Sequence, residues 1–304
     1  MADIGSVKER VIVGTVDWSS ATSLTGAKAD RAKAVGYLSI PANGTRCTAW
    51  LVSEDLVITN NHCIASSGQA VGAKVAFNYD DNTNAASRVW YDCSTFVQTW
   101  SSLDMTALRC SAVNGVLPGV ANGYLGVAGS DAATNESIYV LHQNCDYYTT
   151  PSCSPTKKYS PGIITNGNYS IYDASYNADT LGGSSGSPVL SASGNEVVAL
   201  HHYGFNGNSL GRGTHNSGVR ASHIRAALRD VGVGCPVSPD TTCYWLGYHE
   251  NSTGTWGSWC WSPATWAPTV NTCYQMDSCN GGLGYSGGGC YKWSSGSEGA
   301  PASW

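Results

Sequence analysis

Twelve cysteines in a chain of 304 residues constrain its fold more than any other feature. Six stand at Cys47, Cys63, Cys93, Cys110, Cys145 and Cys153, and six at Cys235, Cys243, Cys260, Cys273, Cys279 and Cys290. Each set is even, as pairing within its own region requires. No two form a CxxC step, which disfavours a zinc ribbon or a thioredoxin-type redox pair. Thiols in a reducing cytosol stay unpaired, so the pattern points to an oxidising compartment and a secreted product. Met1-Ala2-Asp3-Ile4 opens no hydrophobic export signal, and the start reads as a processed form whose signal is missing from this sequence.

Between the cysteines the apolar residues come in short runs. Val35-Gly36-Tyr37-Leu38, Thr48-Ala49-Trp50-Leu51-Val52, Leu56-Val57-Ile58-Thr59 and Lys74-Val75-Ala76-Phe77 are each bounded by Gly, Asn, Pro or Ser. The pattern resumes at 137–141, 162–165, 188–190 and 197–200. Such runs predict strands joined by turns, and 36 glycines with only 12% charged residues fit an all-β chain. One helix is expected over 222–230, where Ile224, Leu228 and Val231 recur at helical spacing behind Ser222 as N-cap. A net charge of -5 without a basic run excludes a nucleic-acid or anionic-membrane footprint. No apolar stretch reaches the ~18–20 residues that span a bilayer.

Three parts are expected: a polar lead-in over 1–30, read as a remnant of a pro-segment; a main domain over 31–234, with halves at about 31–118 and 119–234; and a module over 235–304. The boundary at Cys235 is a stiff Pro236-Val237-Ser238-Pro239 linker. Residues 240–304 carry seven of the eleven Trp but, beyond Ala, only Leu246, Val270 and Leu283 as aliphatics. That composition calls for disulfides and stacked aromatics in place of an aliphatic core. The same aromatics could stack on sugar rings, making a polysaccharide or cell-surface ligand one candidate partner. Alternatively, they form the module's own core.

Three local patterns carry chemistry. Val57-Ile58-Thr59-Asn60-Asn61-His62-Cys63 is a strand ending in His beside a Cys, and a Cys47–Cys63 bridge would hold that His still. Leu103-Asp104-Met105-Thr106-Ala107-Leu108 sets an Asp at the head of an apolar strand, a position Asp80, Asp81 and Asp92 do not share. Gly182-Gly183-Ser184-Ser185-Gly186-Ser187-Pro188 is a Gly-rich turn running into a strand. A serine hydroxyl needs a base to take its proton as it attacks, and His has the pKa for that work. A buried carboxylate fixes the imidazole tautomer. Glycines let two backbone N–H groups converge on a developing oxyanion, here those of Gly183 and Ser185.

In the order His62, Asp104, Ser185 these motifs resemble the chymotrypsin-like serine peptidases, in particular their bacterial glutamyl-endopeptidase (V8-like) branch. Cys47-Thr48-Ala49-Trp50 resembles that branch's Cys-Thr-Gly-Trp, and Thr59-Asn60-Asn61-His62-Cys63 its Thr-Ala-x-His-Cys. Gly183-Ser184-Ser185-Gly186-Ser187-Pro188 matches Gly-x-Ser-Gly-Ser-Pro, a register that selects Ser185 over Ser184 and Ser187 as nucleophile. The resemblance covers roughly 11–232. It implies two antiparallel six-stranded β-barrels with a C-terminal helix, hydrolysis of protein or peptide substrates by a monomer, and no cofactor or metal. Arg10-Val11-Ile12-Val13-Gly14 resembles an activation junction, yet the position before the nucleophile is the uncharged Ser184, so the ion pair of a trypsin-type switch is absent. An α/β-hydrolase esterase fits poorly, because its His comes last and its elbow leads into a helix. A catalytically dead relative acting as a binding protein is the remaining alternative.

The same likeness gives two readings of the pocket that receives the residue before the scissile bond. Asp179 stands where trypsin-like enzymes carry a pocket acid and would favour Lys or Arg. Thr180 and His201 match the Ser/Thr and His that bind glutamate in the V8-like branch, and the acidic preference is the expectation adopted. His202-Tyr203-Gly204 is expected to pair with the substrate backbone as an added strand.

Overall fold

The computed structural model describes residues 7–8 and 11–233, and beyond these the strand segments 244–250, 256–261, 291–292 and 302–303. The chain divides into two compact units, Met1–Ile224 and Arg225–Trp304. The first unit is built on two antiparallel sheets.

The first sheet comprises β1 (Val35–Ile40), β2 (Thr45–Leu51), β3 (Leu56–Thr59), β4 (Lys74–Ala76), β5 (Trp90–Asp92), β6 (Thr95–Trp100) and β7 (Met105–Arg109). Its order is β5-β4-β1-β2-β3-β7-β6. The end strands are consecutive in the chain, so the Cys93-Ser94 link between them curls the sheet. Cys93 is bridged to Cys110 just past β7, and Ser111 donates its N–H to the Asp92 carbonyl at 2.7 Å. Leu38, Trp50, Leu51, Leu56, Ile58 and Met105 are fully buried. Each such apolar side chain contributes ~1.5–3 kcal/mol by leaving water.

The second sheet comprises β8 (Ser137–Gln143), β9 (Lys157–Asn166), β10 (Asp173–Tyr176), β11 (Pro188–Ser191), β12 (Val197–Phe205) and β13 (His215–Arg220). The order β12-β11-β8-β9-β10-β13, with β13 pairing back onto β12, closes a six-stranded barrel. Ile138, Val140, Ile164, Tyr176, Val189 and Val198 fill it. The all-β, chymotrypsin-like expectation is borne out, with one barrel fully closed and the other a curled seven-stranded half-barrel.

The described residues of the lead-in form regular structure. Ile12–Val13 runs parallel to Arg212–Gly213, Ser19–Ser20 pairs with β9, and α1 (Gly26–Lys33) follows. The sequence reading missed α1 because it carries no apolar stripe; within it only Ala32 is buried. Lys157 at the start of β9 bridges the halves, its Nζ donating to the carbonyls of Ala32 at 2.7 Å and Phe77 at 2.6 Å. Burial pushes that amine down to about 8. The expected helix appears as α2 (Ala221–Asp230), one residue longer. Its N-terminal donor is met by Asp131 rather than by Ser222: the Ser222 N–H and hydroxyl donate to the Asp131 carboxylate at 2.7 and 2.8 Å.

In the second unit Tyr244–Glu250 pairs antiparallel with Trp256–Trp261, and Tyr291–Lys292 with Ala302–Ser303. The expected disulfide and aromatic packing of that region lies outside the described residues.

Cys47 on β2 and Cys63 after β3 are bridged across a sequence separation of 16. Replacing both by Ser is expected to lower the unfolding free energy by about 3 kcal/mol. Urea denaturation under non-reducing conditions measures this, and an unchanged midpoint contradicts it.

Candidate active site

The first barrel contributes two side chains and the second a turn. His62 follows β3 in a tight turn, where Cys63 and Ile64 both donate N–H to the Asn60 carbonyl at 3.2 Å. The Cys47–Cys63 bridge anchors that turn to β2. Asp104 ends a short 3-10 turn, Ser101–Leu103, and takes the left-handed conformation (φ 46°, ψ 44°) before β7 begins. Asp tolerates that region better than most residues. The reversal aims its carboxylate back at His62, and Asn60 Nδ2 donates to the Asp104 carbonyl at 2.9 Å to hold it.

Asp104 then grips His62 at two points. Its Oδ1 accepts the His62 backbone N–H at 2.8 Å and its Oδ2 meets ring Nδ1 at 2.6 Å. A carboxylate accepts only, so Nδ1 carries the proton and Nε2 is left with its lone pair. Nε2 lies 2.5 Å from Ser185 Oγ. The structure thus brings His62, Asp104 and Ser185 into one hydrogen-bonded chain, with 28% of the His62 side chain exposed and Asp104 buried to 9%.

The Ser185 turn is pinned on several sides. Ser185 O accepts the Thr48 N–H at 2.8 Å, Thr48 Oγ1 donates to Gly183 O at 2.8 Å, and Gly186 donates to His201 O at 3.1 Å. Two glycines are obligatory here. Gly183 has φ +104°, and a Cβ on it would meet Arg46 Nη1 at 1.9 Å; Gly186 has φ +80°, and its Cβ would meet Thr48 O at 2.4 Å. The N–H groups of Gly183 and Ser185 donate to no protein acceptor among the described residues. Ser184, which carries no charge, hydrogen-bonds through Oγ to His142 Nδ1 at 2.7 Å. His142 is completely buried, and desolvation holds its pKa down to about 3, so it is neutral.

The pocket residues fall in less expected places. Asp179 is fully buried and its two oxygens accept the N–H groups of Val13 at 2.7 Å and Asp17 at 2.9 Å. Thr180 donates its hydroxyl to Asn216 Oδ1 at 2.9 Å. Asn216, absent from the sequence reading, also clamps Val11: it accepts the Val11 N–H at 3.0 Å and donates to the carbonyls of Val11 and Ala178 at 2.7 and 2.9 Å. His201 points into the second barrel, where its Nδ1 meets Tyr176 Oη at 2.6 Å and Tyr176 in turn donates to Ser217 O.

His202 sits at a break in the β12–β13 register, and its ring turns inward. It lies between two carboxylates, Nδ1 3.7 Å from Asp104 Oδ2 and Nε2 3.3 Å from Asp173 Oδ1. Tyr203 stacks beside His62 at a ring separation of 5.7 Å. On the edge of β12 left open past β11, Val7–Lys8 pairs antiparallel with Phe205 and Gly204. The edge expected to receive a substrate strand thus holds a short strand of the chain itself at its far end.

Asp179 and Asp17 form a carboxyl pair in which burial, the main cause, pushes Asp179 up to about 7 and raises Asp17 as well. The folded protein keeps a proton there that the unfolded chain has already released, so this contribution to stability is lost as pH rises through 7. Asp17→Asn removes the facing charge. The variant is expected to match wild type in thermal stability at about pH 5 and to exceed it at about pH 8; equal offsets at both pH values would contradict the coupling.

A family model described as the trypsin-like peptidase domain matches residues 47–200, a span that holds His62, Asp104 and Ser185. Secreted RxLR effector protein 73 of Plasmopara viticola is 32% identical over 169 residues, covering 52% of this chain and 41% of that protein. The chain therefore spans less than half the length of that curated relative. A solved structure titled as a Glu endopeptidase in complex with MPD superposes with a TM-score of 0.52 at 20% identity, covering 69% of this chain and 94% of the other, a likeness of fold. With its family model covering half the chain and two antiparallel sheets flanking the site, the chain belongs to the trypsin-like peptidase domain family.

Proposed function

We propose that the chain is a secreted serine endopeptidase that cleaves peptide bonds through an acyl-enzyme on Ser185. The observation that carries the reading is the unbroken Asp104–His62–Ser185 chain, with links of 2.6 and 2.5 Å. Ser185 attacks the scissile carbonyl as His62 Nε2 takes its proton. The imidazolium formed is stabilised by Asp104, and His62 then returns the proton to the leaving amine. Water repeats the cycle to release the acid. The N–H groups of Gly183 and Ser185 receive the oxyanion, since neither donates to an acceptor among the described residues.

An acidic residue before the scissile bond is the preferred substrate, with His201 and Thr180 as its ligands, the Thr180 hydroxyl turning from Asn216 Oδ1 to donate to it. Support comes from Asp179: its carboxylate faces the N–H groups of Val13 and Asp17, which weighs against its serving as the counter-charge for Lys or Arg. The substrate backbone pairs with the main chain of His202, Tyr203 and Gly204. That this edge accepts an added strand is supported by Val7–Lys8, which pairs with Phe205 and Gly204; at Gly204 the substrate takes the place of Lys8. Secretion is supported by three disulfides in the first unit and by the likeness to the secreted Plasmopara effector.

Digestion of a denatured protein of known sequence, followed by mapping of the new termini, is expected to give cuts after Glu; cuts confined to Lys and Arg would overturn the acidic preference. Ser185→Ala is expected to lower kcat by about five to six orders of magnitude and to abolish labelling by a fluorophosphonate. Asp104→Asn is expected to lower kcat by about 10⁴-fold, because His62 would then hold the wrong tautomer. Retained labelling of Ser185→Ala would overturn the nucleophile assignment.

A further inference from the structure

A cleft of about 340 Å³ opens beside His62 and Gly183, walled by Arg46 and Tyr147 and floored by the Cys47–Cys63 bridge. It shares His62 and Gly183 with the catalytic set but none of Thr180, His201, Tyr203 or Gly204. A carbonyl under attack sits between His62 Nε2 and the Gly183 turn. With the acyl half of the substrate on the Tyr203–Gly204 edge, the amine half leaves through this cleft.

Arg46 is the one lining residue with a permanent charge. It is half-buried, and its guanidinium rests directly on Gly183, where a Cβ would come within 1.9 Å of Nη1. The hydrogen bond recorded for it is long, from Nη1 to the Gln143 carbonyl at 3.4 Å, and among the described residues no carboxylate pairs with it. Asp146, the acid next to Tyr147, is held by Arg212 at 3.1 Å. The Tyr147 wall is fixed, its hydroxyl accepting the Gly182 N–H at 3.2 Å. A planar, half-buried guanidinium whose remaining donors face no acid is built to take a carboxylate.

We propose that this cleft is the leaving-group subsite and that Arg46 is its specificity-determining residue, selecting a carboxylate within the two residues after the scissile bond. The carboxylate is an Asp or Glu side chain or the free C-terminus of a short peptide. This rests on the peptidase reading above and extends it to the other side of the bond.

The test uses internally quenched peptides with one common acyl side and Asp, Ala or Lys at each of the two positions after the bond, each made with a free and an amidated C-terminus. Wild type is expected to show kcat/KM about tenfold higher for Asp than for Ala and lower still for Lys, the size of one charge-assisted hydrogen bond in a half-exposed site. That ratio falls as NaCl is added. In Arg46→Gln the ratio drops to about one, and Arg46→Lys keeps part of it. Each ratio is taken within one variant, so a loss of folded enzyme cancels. If the gain follows the free C-terminus and not the side chain, the carboxylate read is the terminal one.

A wild-type ratio near one, or a ratio kept in Arg46→Gln, overturns the proposal while leaving the peptidase reading intact. A wild type that cleaves none of the peptides and takes up no fluorophosphonate overturns both.

Discussion

The site depends on one carboxylate doing two things at once. Asp104 binds the main-chain N–H of His62 and also its ring Nδ1, so the imidazole is fixed in position and in tautomer by the same group. A single contact to the ring would leave the turn after β3 free to drift, and the Nε2–Oγ distance would drift with it. Double contact requires Asp104 to face backwards along the chain, which is why the residue sits in the left-handed region. That conformation costs of the order of 1 kcal/mol and is over-determined by Asn60 and the Ser101 carbonyl.

The two halves supply different parts of the site. The first presents His62 and Asp104 from strand ends; the second presents Ser185 from a turn whose Gly186 admits Thr48 and Thr59 at distances no Cβ would allow. Thr48 is the joint between them. Its N–H holds Ser185 O, its hydroxyl holds Gly183 O and accepts the Gln143 N–H, and its carbonyl accepts the Thr59 hydroxyl. A residue read in the sequence as an ordinary strand position thus registers the nucleophile against the histidine.

The site was legible in the sequence where its chemistry is local. Ser185 is marked by the glycines beside it, His62 by its adjoining Cys and Asp104 by the apolar strand it heads. Strands with apolar runs were legible for the same reason. β10 and β13 were not, because Asp173-Ala174-Ser175-Tyr176 and His215-Asn216-Ser217-Gly218 pair through their backbones without a run of aliphatic residues to mark them. Residues acting at long range left no mark either. Asn216 clamps Val11 across 205 positions, and His142 reaches Ser184 across 42. The register break in β12 sets the His202 ring beside Asp104 and Asp173, contacts that no local motif announces.

The His142–Ser184 contact has a bearing on where such a turn can operate. A nucleophile loop tied down by two opposite charges weakens in brine, as counter-ions screen the pair, and lets go when its acid is neutralised. Here the tie joins two uncharged groups, both fully buried. Dissolved electrolyte has nothing to screen, and acidity reaches the imidazole only near pH 3, where it takes up its proton. This one tie on the loop bearing Ser185 is thereby insulated from the ionic composition of the surrounding fluid.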